Sequence, residues 1–175
     1  MLLLLVVLAA AACDRQNPQA QQGEQVQAGK VDRSQQGKPA PATAFRDPAG
    51  GDIRLADFRG TPVLVNLWAT WCAPCVKELP TLDQLAQSHD VDGQLGVIAV
   101  SQDRAPQGSV KAFLAQHRIK SLGAYHDPDM ALSGALGTQI LPTSILFDAD
   151  GREVWRYVGD LDWTSKEAEK LLAAR

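Results

Sequence analysis

Trp71-Cys72-Ala73-Pro74-Cys75 is the most informative stretch of this chain. It follows an apolar run, Val63–Trp68, that has the length and the β-branched content of a buried strand. The residues after it are typical of a helix. The sequence therefore predicts that the cysteine pair lies where a strand ends and a helix begins.

That location has chemical consequences for a cysteine. The first turn of a helix carries N–H groups without intrahelical partners and the positive end of the helix dipole, and both stabilise a thiolate. The thiolate, rather than the thiol, is the form that attacks a disulfide. The residue types, their spacing and their predicted location all indicate thiol–disulfide exchange.

The composition narrows the class of protein. The chain has 175 residues, of which 45% are hydrophobic, and a formal net charge of −3. These values are typical of one globular domain with additional segments. The sequence contains no basic stretch of the kind that binds nucleic acid, so we expect no nucleic-acid partner. Three cysteines are too few for a small fold held together by disulfides.

The N-terminal segment is predicted to direct export. Leu2–Ala12 is an unbroken apolar run, about half as long as a membrane-spanning helix, and it ends in small residues directly before Cys13. It resembles a bacterial lipoprotein signal, which implies that residues 1–13 are the signal and that Cys13 is lipidated. The alternative is an ordinary secretory signal followed by a chance cysteine. Asp14 resembles the inner-membrane retention signal of some bacteria.

The rest of the chain divides into a linker and a domain. Residues 14–38 have almost no large apolar side chains and are predicted to be a flexible linker. The domain is predicted over residues 39–175 and begins with a β-hairpin, 44–46 and 52–55. Buried strands are predicted at 63–68, 95–100, 144–147 and 153–158, and helices after residue 76, at 110–117 and at 130–136. Thr164–Glu167 matches a capping box that opens a last helix. This alternation predicts an α/β fold with a mixed sheet.

The cysteine segment also carries a family resemblance. Val63–Cys75 resembles the thioredoxin superfamily, and with Glu78-Leu79-Pro80 added it is similar to the exported TlpA/ResA/CcmG (DsbE)-type thiol–disulfide oxidoreductases. The resemblance covers about Pro39–Val158. It implies a thioredoxin-like fold, in which helices flank a central mixed β-sheet and a β-hairpin precedes it. It also implies a protein-disulfide oxidoreductase.

Within that resemblance, each residue of the cysteine segment has an expected role. Cys72 begins the helix, so we expect an exposed sulfur that acts as the nucleophile. Cys75, one turn further on, is expected to be more buried and to resolve the mixed disulfide. Ala73 and Pro74 separate the two, and Pro74 is expected to tune the reduction potential. Trp71 is expected to offer a flat apolar contact to a substrate chain, with simple packing as the alternative.

Glu78 is the expected third catalytic residue. In thioredoxin a buried Asp that takes part in proton transfer occupies the position of Asn66, and Asn cannot titrate. Glu78 lies one helical turn beyond Cys75, and the exported subfamily carries a Glu there. We expect a partly buried carboxyl group with a raised pKa that exchanges protons with the thiols. A solvated surface glutamate is the alternative.

Leu141-Pro142 is expected to complete the site. In the superfamily a cis-proline at this point faces the cysteine pair, and the residue before it pairs with extended substrate through its backbone. Leu141 would add apolar surface for a polypeptide. The alternative is a trans proline that merely precedes a strand.

The resemblance also implies the partners and the compartment. We expect a reductant on the periplasmic side of a bacterial membrane, anchored through Cys13 and monomeric. No cofactor is expected beyond the redox-active Cys72–Cys75 disulfide. The expected electron donor is a transmembrane protein of the DsbD/CcdA type, and the expected substrate is a specific protein disulfide, with apocytochrome c the commonest case.

Three other functions were weighed against this one. A structural zinc site is disfavoured because there is no second Cys-x-x-Cys and no His pair at ligand spacing. A peroxiredoxin-like peroxidase would need a peroxidatic cysteine in a loop that bears Pro and Thr, and none appears. A Sco-like copper-delivery protein would use a wider cysteine spacing and a distal His, for which His126 is the candidate.

Overall fold

The computed structural model describes residues 29–90 and 94–173. The predicted signal with its lipidation site at Cys13, and the first part of the predicted linker, lie outside the described residues. Within the described ranges, no helix combines the length and the apolar character needed to cross a membrane.

One eight-stranded sheet forms the centre of the protein. Its strands are β1 (Val31–Asp32), β2 (Ala44–Arg46), β3 (Asp52–Arg54), β4 (Val63–Trp68), β5 (Gly96–Ser101), β6 (Tyr125–His126), β7 (Thr143–Phe147) and β8 (Glu153–Val158). The helices are α1 (Ala73–Asp90), α2 (Gln107–Gln116), α3 (Ala131–Ala135) and α4 (Lys166–Ala173), with a 3₁₀-helix at Leu55–Phe58.

The order of the strands confirms the predicted mixed sheet. It runs β1-β8-β7-β4-β5-β6-β2-β3. The central strand β4 pairs in parallel with β5 and antiparallel with β7, and β7 and β8 form an antiparallel hairpin. The predicted bounds of β4 and β8 are confirmed. Helix α2 begins three residues earlier than predicted, at Gln107, directly after Pro106.

The side chains of β4 supply both layers of the core. All six residues of the strand are buried, and alternate side chains point to opposite faces. Val65 and Leu67 join a cluster that also contains residues of the β2–β3 hairpin and of α3. Leu64 and Trp68 join a second cluster that contains residues of α1, α2 and α4. Asn66 has the same parity as Leu64 and Trp68, so it faces α1.

The predicted linker is wrong over residues 29–38. The N–H of Gly29 donates to the Val158 carbonyl at 2.8 Å, and β1 then pairs antiparallel with β8. Further along, the N–H of Glu153 donates to the Lys38 carbonyl at 2.9 Å. The domain therefore includes residues from 29 onwards instead of starting at 39. Composition missed this because strand addition to a sheet edge uses backbone groups, which every residue has.

The predicted capping box at Thr164–Glu167 is also wrong. Helix α4 begins at Lys166, and the Ser165 hydroxyl accepts the N–H of Ala168 at 3.2 Å, so Ser165 is the cap. The N–H and the hydroxyl of Thr164 instead donate to the Asp162 carboxylate at 2.9 and 2.6 Å. Thr164 therefore bonds to Asp162 and does not cap α4.

Asp83 on α1 gives a testable prediction about stability. Its carboxylate accepts the backbone N–H groups of Lys120, Ser121 and Leu122, with the shortest N···O distance, 2.7 Å, to Ser121. Asp83→Ala leaves these donors without their acceptor and should lower the free energy of unfolding by about 2 kcal/mol. Urea denaturation measures this loss. Gln84→Ala, at an exposed position of the same helix, is the control, and an equal effect of both variants would contradict the prediction.

Candidate active site

Cys72 and Cys75 form a disulfide at the start of α1, with an S–S distance of 2.05 Å. The helix begins at Ala73, and the Cys72 carbonyl accepts the N–H of Val76 at 3.0 Å, which makes Cys72 the N-cap residue. The N–H of Cys75 donates to the Cys72 sulfur at 3.3 Å. The sulfur of Cys72 thus occupies the position where an N-cap side chain accepts a hydrogen bond, and a thiolate there would receive the same N–H.

The burial of the two cysteines differs in part from the prediction. Cys75 is fully buried, as predicted, with 0% of its surface exposed. Cys72 is only 6% exposed, so the predicted exposed sulfur is wrong for this disulfide form. The reason is that its sulfur bonds to Cys75 and caps the helix, which draws the residue against the core cluster beside α1. The exposed surface belongs instead to Ala73, Pro74 and Trp71, the last of which is 69% exposed.

A buried aspartate anchors the loop that leads into the cysteine pair. Asp103 accepts the backbone N–H of Thr70 at 3.0 Å and its hydroxyl at 2.6 Å, and it also accepts the Ser101 hydroxyl at 2.7 Å. These contacts tie the end of β5 to the residue two before Cys72. This role of Asp103 was not predicted from the sequence. An acidic residue two positions after a buried strand was the available signal for it.

Glu78 lies in the core and has three hydrogen-bond donors. It is 3% exposed. Its Oε1 accepts the Asn66 amide at 2.7 Å, and its Oε2 accepts the Leu161 N–H at 3.0 Å and the Trp163 indole N–H at 3.3 Å. Burial raises the pKa of Glu78 from 4.5 to about 7, because these hydrogen bonds favour the charged form but do not fully offset the loss of water. The negative charge of Asp160 raises it slightly further.

The raised pKa predicted for Glu78 is confirmed, and its burial is more complete than predicted. The two donors from the far end of the chain, Leu161 and Trp163, were missed. Sequence spacing reveals only neighbours on the same helix, whereas these residues lie more than eighty positions away. A tryptophan in the core does need an acceptor for its indole N–H, and that was the available signal.

Leu141-Pro142 has the predicted cis peptide bond. The next residue, Thr143, begins β7 and is paired with Leu67 near the end of β4. Because β4 leads directly into the cysteine segment, the cis-proline lies at the edge of the sheet from which that segment emerges. The Pro142 carbonyl accepts the N–H of Gly159 at 2.9 Å, which holds the turn against the end of β8.

Large apolar side chains are exposed next to both halves of the site. Trp71 directly precedes Cys72, and Ile140, which is 51% exposed, directly precedes the half-buried Leu141. Exposed apolar side chains of this size are typical of surfaces that contact a protein chain.

His126, the candidate ligand of the copper-delivery alternative, has a structural role. In the part of the chain that the structure describes, no cluster of three or more His, Cys, Asp or Glu side chains could hold a metal ion. His126, the candidate for the copper alternative, is buried, and its Nε2 donates to the Asp103 carbonyl at 2.7 Å. It therefore belongs to the network that supports the loop before the cysteine pair.

This fold and a cysteine pair at the start of α1 define a thioredoxin-like protein with a dithiol–disulfide centre. Residues 35–172 match the Redoxin family, and the chain belongs to that family. The chain is 36% identical over 129 residues to thiol-disulfide oxidoreductase ResA of Bacillus thuringiensis (strain Al Hakam), covering 74% of this chain and 73% of the relative. It is 34% identical to a thiol:disulfide interchange protein DsbE homolog of Paracoccus denitrificans, covering 71% and 70% of the two chains.

The solved structures agree with this assignment. A putative thiol:disulfide interchange protein DsbE from Chlorobium tepidum is 29% identical and has a TM-score of 0.68, covering 79% of this chain and 96% of that one. A putative thioredoxin from Neisseria meningitidis is 31% identical and has a TM-score of 0.64, covering 77% and 88%. The predicted thioredoxin-like fold and the predicted resemblance to the TlpA/ResA/CcmG group are confirmed.

The raised pKa of Glu78 predicts how pH changes stability. The folded protein retains the Glu78 proton to a higher pH than the unfolded chain, so the contribution of this group to the free energy of unfolding falls as pH rises from 4.5 to about 7. The full loss is about 3 kcal/mol. Glu78→Gln does not ionise and should lack this part of the pH dependence. Urea denaturation of the oxidised protein between pH 4.5 and 8 measures it.

The matched control for that measurement is Glu167→Gln, which changes an exposed glutamate of α4. It should keep the wild-type slope of stability against pH. A slope in Glu78→Gln equal to that of the wild type would contradict the raised pKa, even if both proteins differ in stability at every pH.

Proposed function

We propose that this protein reduces disulfides of exported proteins with the Cys72/Cys75 dithiol. The observation that carries the proposal is the hydrogen bond from the Cys75 N–H to the Cys72 sulfur at the first turn of α1. An N–H and a helix dipole directed at a sulfur lower the free energy of the thiolate relative to the thiol. The relatives named ResA and DsbE support the same chemistry.

The reaction takes two exchange steps. The Cys72 thiolate attacks one sulfur of the substrate disulfide, forms a mixed disulfide and releases the other substrate sulfur as a thiolate. The Cys75 sulfur, as a thiolate, then attacks Cys72, forms the Cys72–Cys75 disulfide and releases the second substrate thiolate. The substrate gains two electrons, the dithiol loses two, and the protons of the dithiol end on the substrate thiols or in water.

Glu78 is proposed to exchange protons with the thiols. Its position one helical turn after Cys75 places it on the same side of α1. A carboxyl group whose pKa is about 7 is populated in both protonation states near neutral pH, so it can accept a proton from Cys75 in the resolving step and return it during re-reduction.

The residues around the cysteines are proposed to position the substrate and tune the potential. Trp71 provides exposed apolar surface on one side, and Leu141 offers its backbone to an extended chain in the manner of an added strand. Pro142 holds that backbone in place through its cis bond. Ala73 and Pro74 place the two cysteines about one helical turn apart along the chain, so that their sulfurs can bond, and Pro74 withholds an N–H that would otherwise point at them.

We further propose an exported protein that acts on the periplasmic side of the membrane and is lipid-anchored at Cys13. An oxidising compartment favours the disulfide, so a dithiol reductant there needs a donor. A transmembrane protein of the DsbD/CcdA type would return two electrons to Cys72–Cys75. Apocytochrome c is the proposed substrate, as the resemblance of the Val63–Pro80 segment to the TlpA/ResA/CcmG group implies.

The first test traps the substrate in cells. In Cys75→Ala, the mixed disulfide on Cys72 has no resolving thiol, so adducts with substrate proteins should accumulate and disappear on treatment with dithiothreitol. Mass spectrometry identifies the partners. The double variant Cys72→Ser/Cys75→Ala is the control and should form no adducts. Equal amounts of adduct in the single and double variants would refute Cys72 as the nucleophile.

The second test follows the ionisation of the thiols. Alkylation of reduced Cys72 by iodoacetamide should reach half its maximal rate at a lower pH than alkylation of free cysteine, because the helix start stabilises the thiolate. Glu78→Gln should change this pH profile, whereas the exposed-site variant Glu167→Gln should not. Superimposable profiles for the wild type and Glu78→Gln would contradict proton exchange between Glu78 and the thiols.

A further inference from the structure

Asn66 is a buried side chain whose hydrogen bonds are unevenly satisfied. It is 0% exposed, and its Nδ2 donates to Glu78 Oε1 at 2.7 Å and to Ser144 Oγ at 2.9 Å. Its Oδ1 has no hydrogen-bond partner among the residues that the structure describes. A buried carbonyl oxygen without a donor costs free energy, so its presence beside an ionisable group needs a physical explanation.

The sheet positions Asn66 between the two halves of the site. It is paired directly with Ser144 across the β4–β7 ladder, and Ser144 follows the cis-proline Pro142 by two residues. On the other side it meets Glu78 of α1. Asn66 and Ser144 therefore connect the strand behind the cis-proline to the carboxyl group one turn after Cys75.

The two oxygens of Glu78 have different kinds of partner. Oε2 accepts N–H groups from the Leu161 backbone and the Trp163 indole, and both groups can only donate. Among the residues that the structure describes, Oε1 accepts only from Asn66. A proton on Oε2 would point at two donors, whereas a proton on Oε1 faces an amide that can present either NH₂ or C=O. Oε1 is therefore the oxygen that takes the proton.

We propose that Asn66 and Ser144 reverse the direction of their hydrogen bonds when Glu78 gains or loses a proton. With Glu78 ionised, the Asn66 NH₂ donates to Oε1 and to Ser144. With Glu78 protonated, the amide turns over, and its Oδ1 accepts the proton on Oε1 and the Ser144 hydroxyl proton. The two ends of an amide have nearly the same shape, and a hydroxyl donates as well as it accepts, so both arrangements fit one cavity.

The unpaired oxygen is explained by this reversal. One end of the Asn66 amide is always directed at Glu78 and Ser144, and the other end is always left over. The end without a partner is Oδ1 when Glu78 is ionised and Nδ2 when Glu78 is protonated. A partner fixed on Oδ1 would favour one orientation and so one protonation state of Glu78. Leaving the far end without a fixed partner keeps the two states close in free energy.

The other ionisable groups that face Glu78 do not titrate in the same range. Asp160 forms a surface ion pair with Lys77 at 2.8 Å, which holds the pKa of Asp160 below its usual value and raises that of Lys77. Burial, with nearby carboxylates, raises the pKa of Tyr157 above 10. In the oxidised protein Cys75 carries no proton. A transition at Asn66 near neutral pH is therefore assigned to Glu78 by its loss in Glu78→Gln, which also separates it from any effect of the histidines.

Asn66 is thus a positioning residue for the proton that Glu78 carries. The reversal itself needs only the contacts of the oxidised protein, whereas its use in thiol chemistry rests on the proposed function. Because the amide offers a partner to either form of Glu78, the proton can arrive and leave without stranding the carboxyl group in the core.

Side-chain amide NMR of the oxidised, ¹⁵N-labelled protein tests the reversal directly. Above the transition both Asn66 Nδ2 protons are hydrogen-bonded, and below it both lose their acceptors, so they should move upfield and exchange faster with a midpoint at about pH 7. Gln107 is the internal control, because its NH₂ donates to the backbone carbonyls of Asp47 and Ala124, which cannot reverse. Glu78→Gln should abolish the transition at Asn66.

The acid constant of Glu78 in Asn66→Leu provides a second, independent test of the reversal. A fixed donor would stabilise only the charged form, so Asn66→Leu would then change the acid constant of Glu78 by more than about tenfold. A reversing amide stabilises both forms, and the change should be less than about tenfold. Asn66 protons that stay hydrogen-bonded at pH 5, or a larger change in Asn66→Leu, would overturn the reversal. Either result would leave the disulfide-exchange tests on Cys72 unaffected.

Discussion

The structure depends most on the way the Cys72 sulfur caps the start of α1. Every helix start has N–H groups that need an acceptor, and a serine or aspartate oxygen usually provides it. In this protein the acceptor is a sulfur, reached by the Cys75 N–H at 3.3 Å. The contact that begins the helix is therefore also the contact that would stabilise a thiolate. The Cys72 sulfur both caps the helix and is the reactive atom. The helix therefore positions the nucleophile, and the nucleophile in turn stabilises the start of the helix.

Glu78 titrates near neutral pH because burial and hydrogen bonding have opposite effects of similar size on its pKa. Burial alone would hold the carboxyl group protonated, and three donors alone would hold it ionised. The donors come from β4, from the Leu161 backbone and from the indole of Trp163, so parts of the chain that are distant in sequence set the pKa of one side chain. The pKa of about 7 is the result of this balance. Losing the Leu161 or the Trp163 donor, neither of which can also accept, would shift it upward, away from the range in which a proton is easily exchanged.

The sequence was sufficient for most elements that local chemistry determines, although the Asp162 carboxylate displaced the capping box predicted at Thr164. The apolar run of β4 and the helix after the cysteine pair each follow from a short pattern with one physical explanation, and the structure has both. The cis bond before Pro142 was implied by the family resemblance, and the structure has it as well. Prediction failed where the outcome depends on contacts between distant segments. Pairing of β1 with β8 uses only backbone groups, so a polar, Gln-rich composition did not reveal it. The donors that reach Glu78 from Leu161 and Trp163 likewise depend on how the final loop packs, which no local pattern encodes.

A redox centre must keep its geometry when its covalent bond is broken, and the contacts around Cys72 meet this requirement without the disulfide. The Cys72 N–H donates to the Ala69 carbonyl at 3.1 Å and its carbonyl accepts from Val76 at 3.0 Å. Asp103 separately holds both the N–H and the hydroxyl of Thr70. None of these bonds involves a sulfur atom, so reduction removes none of them. The backbone that presents Cys72 is thus held by the fold, and a dithiol can form while the nucleophile keeps its place at the helix start. That independence lets a single site pass through dithiol, mixed-disulfide and disulfide forms without being rebuilt at each step.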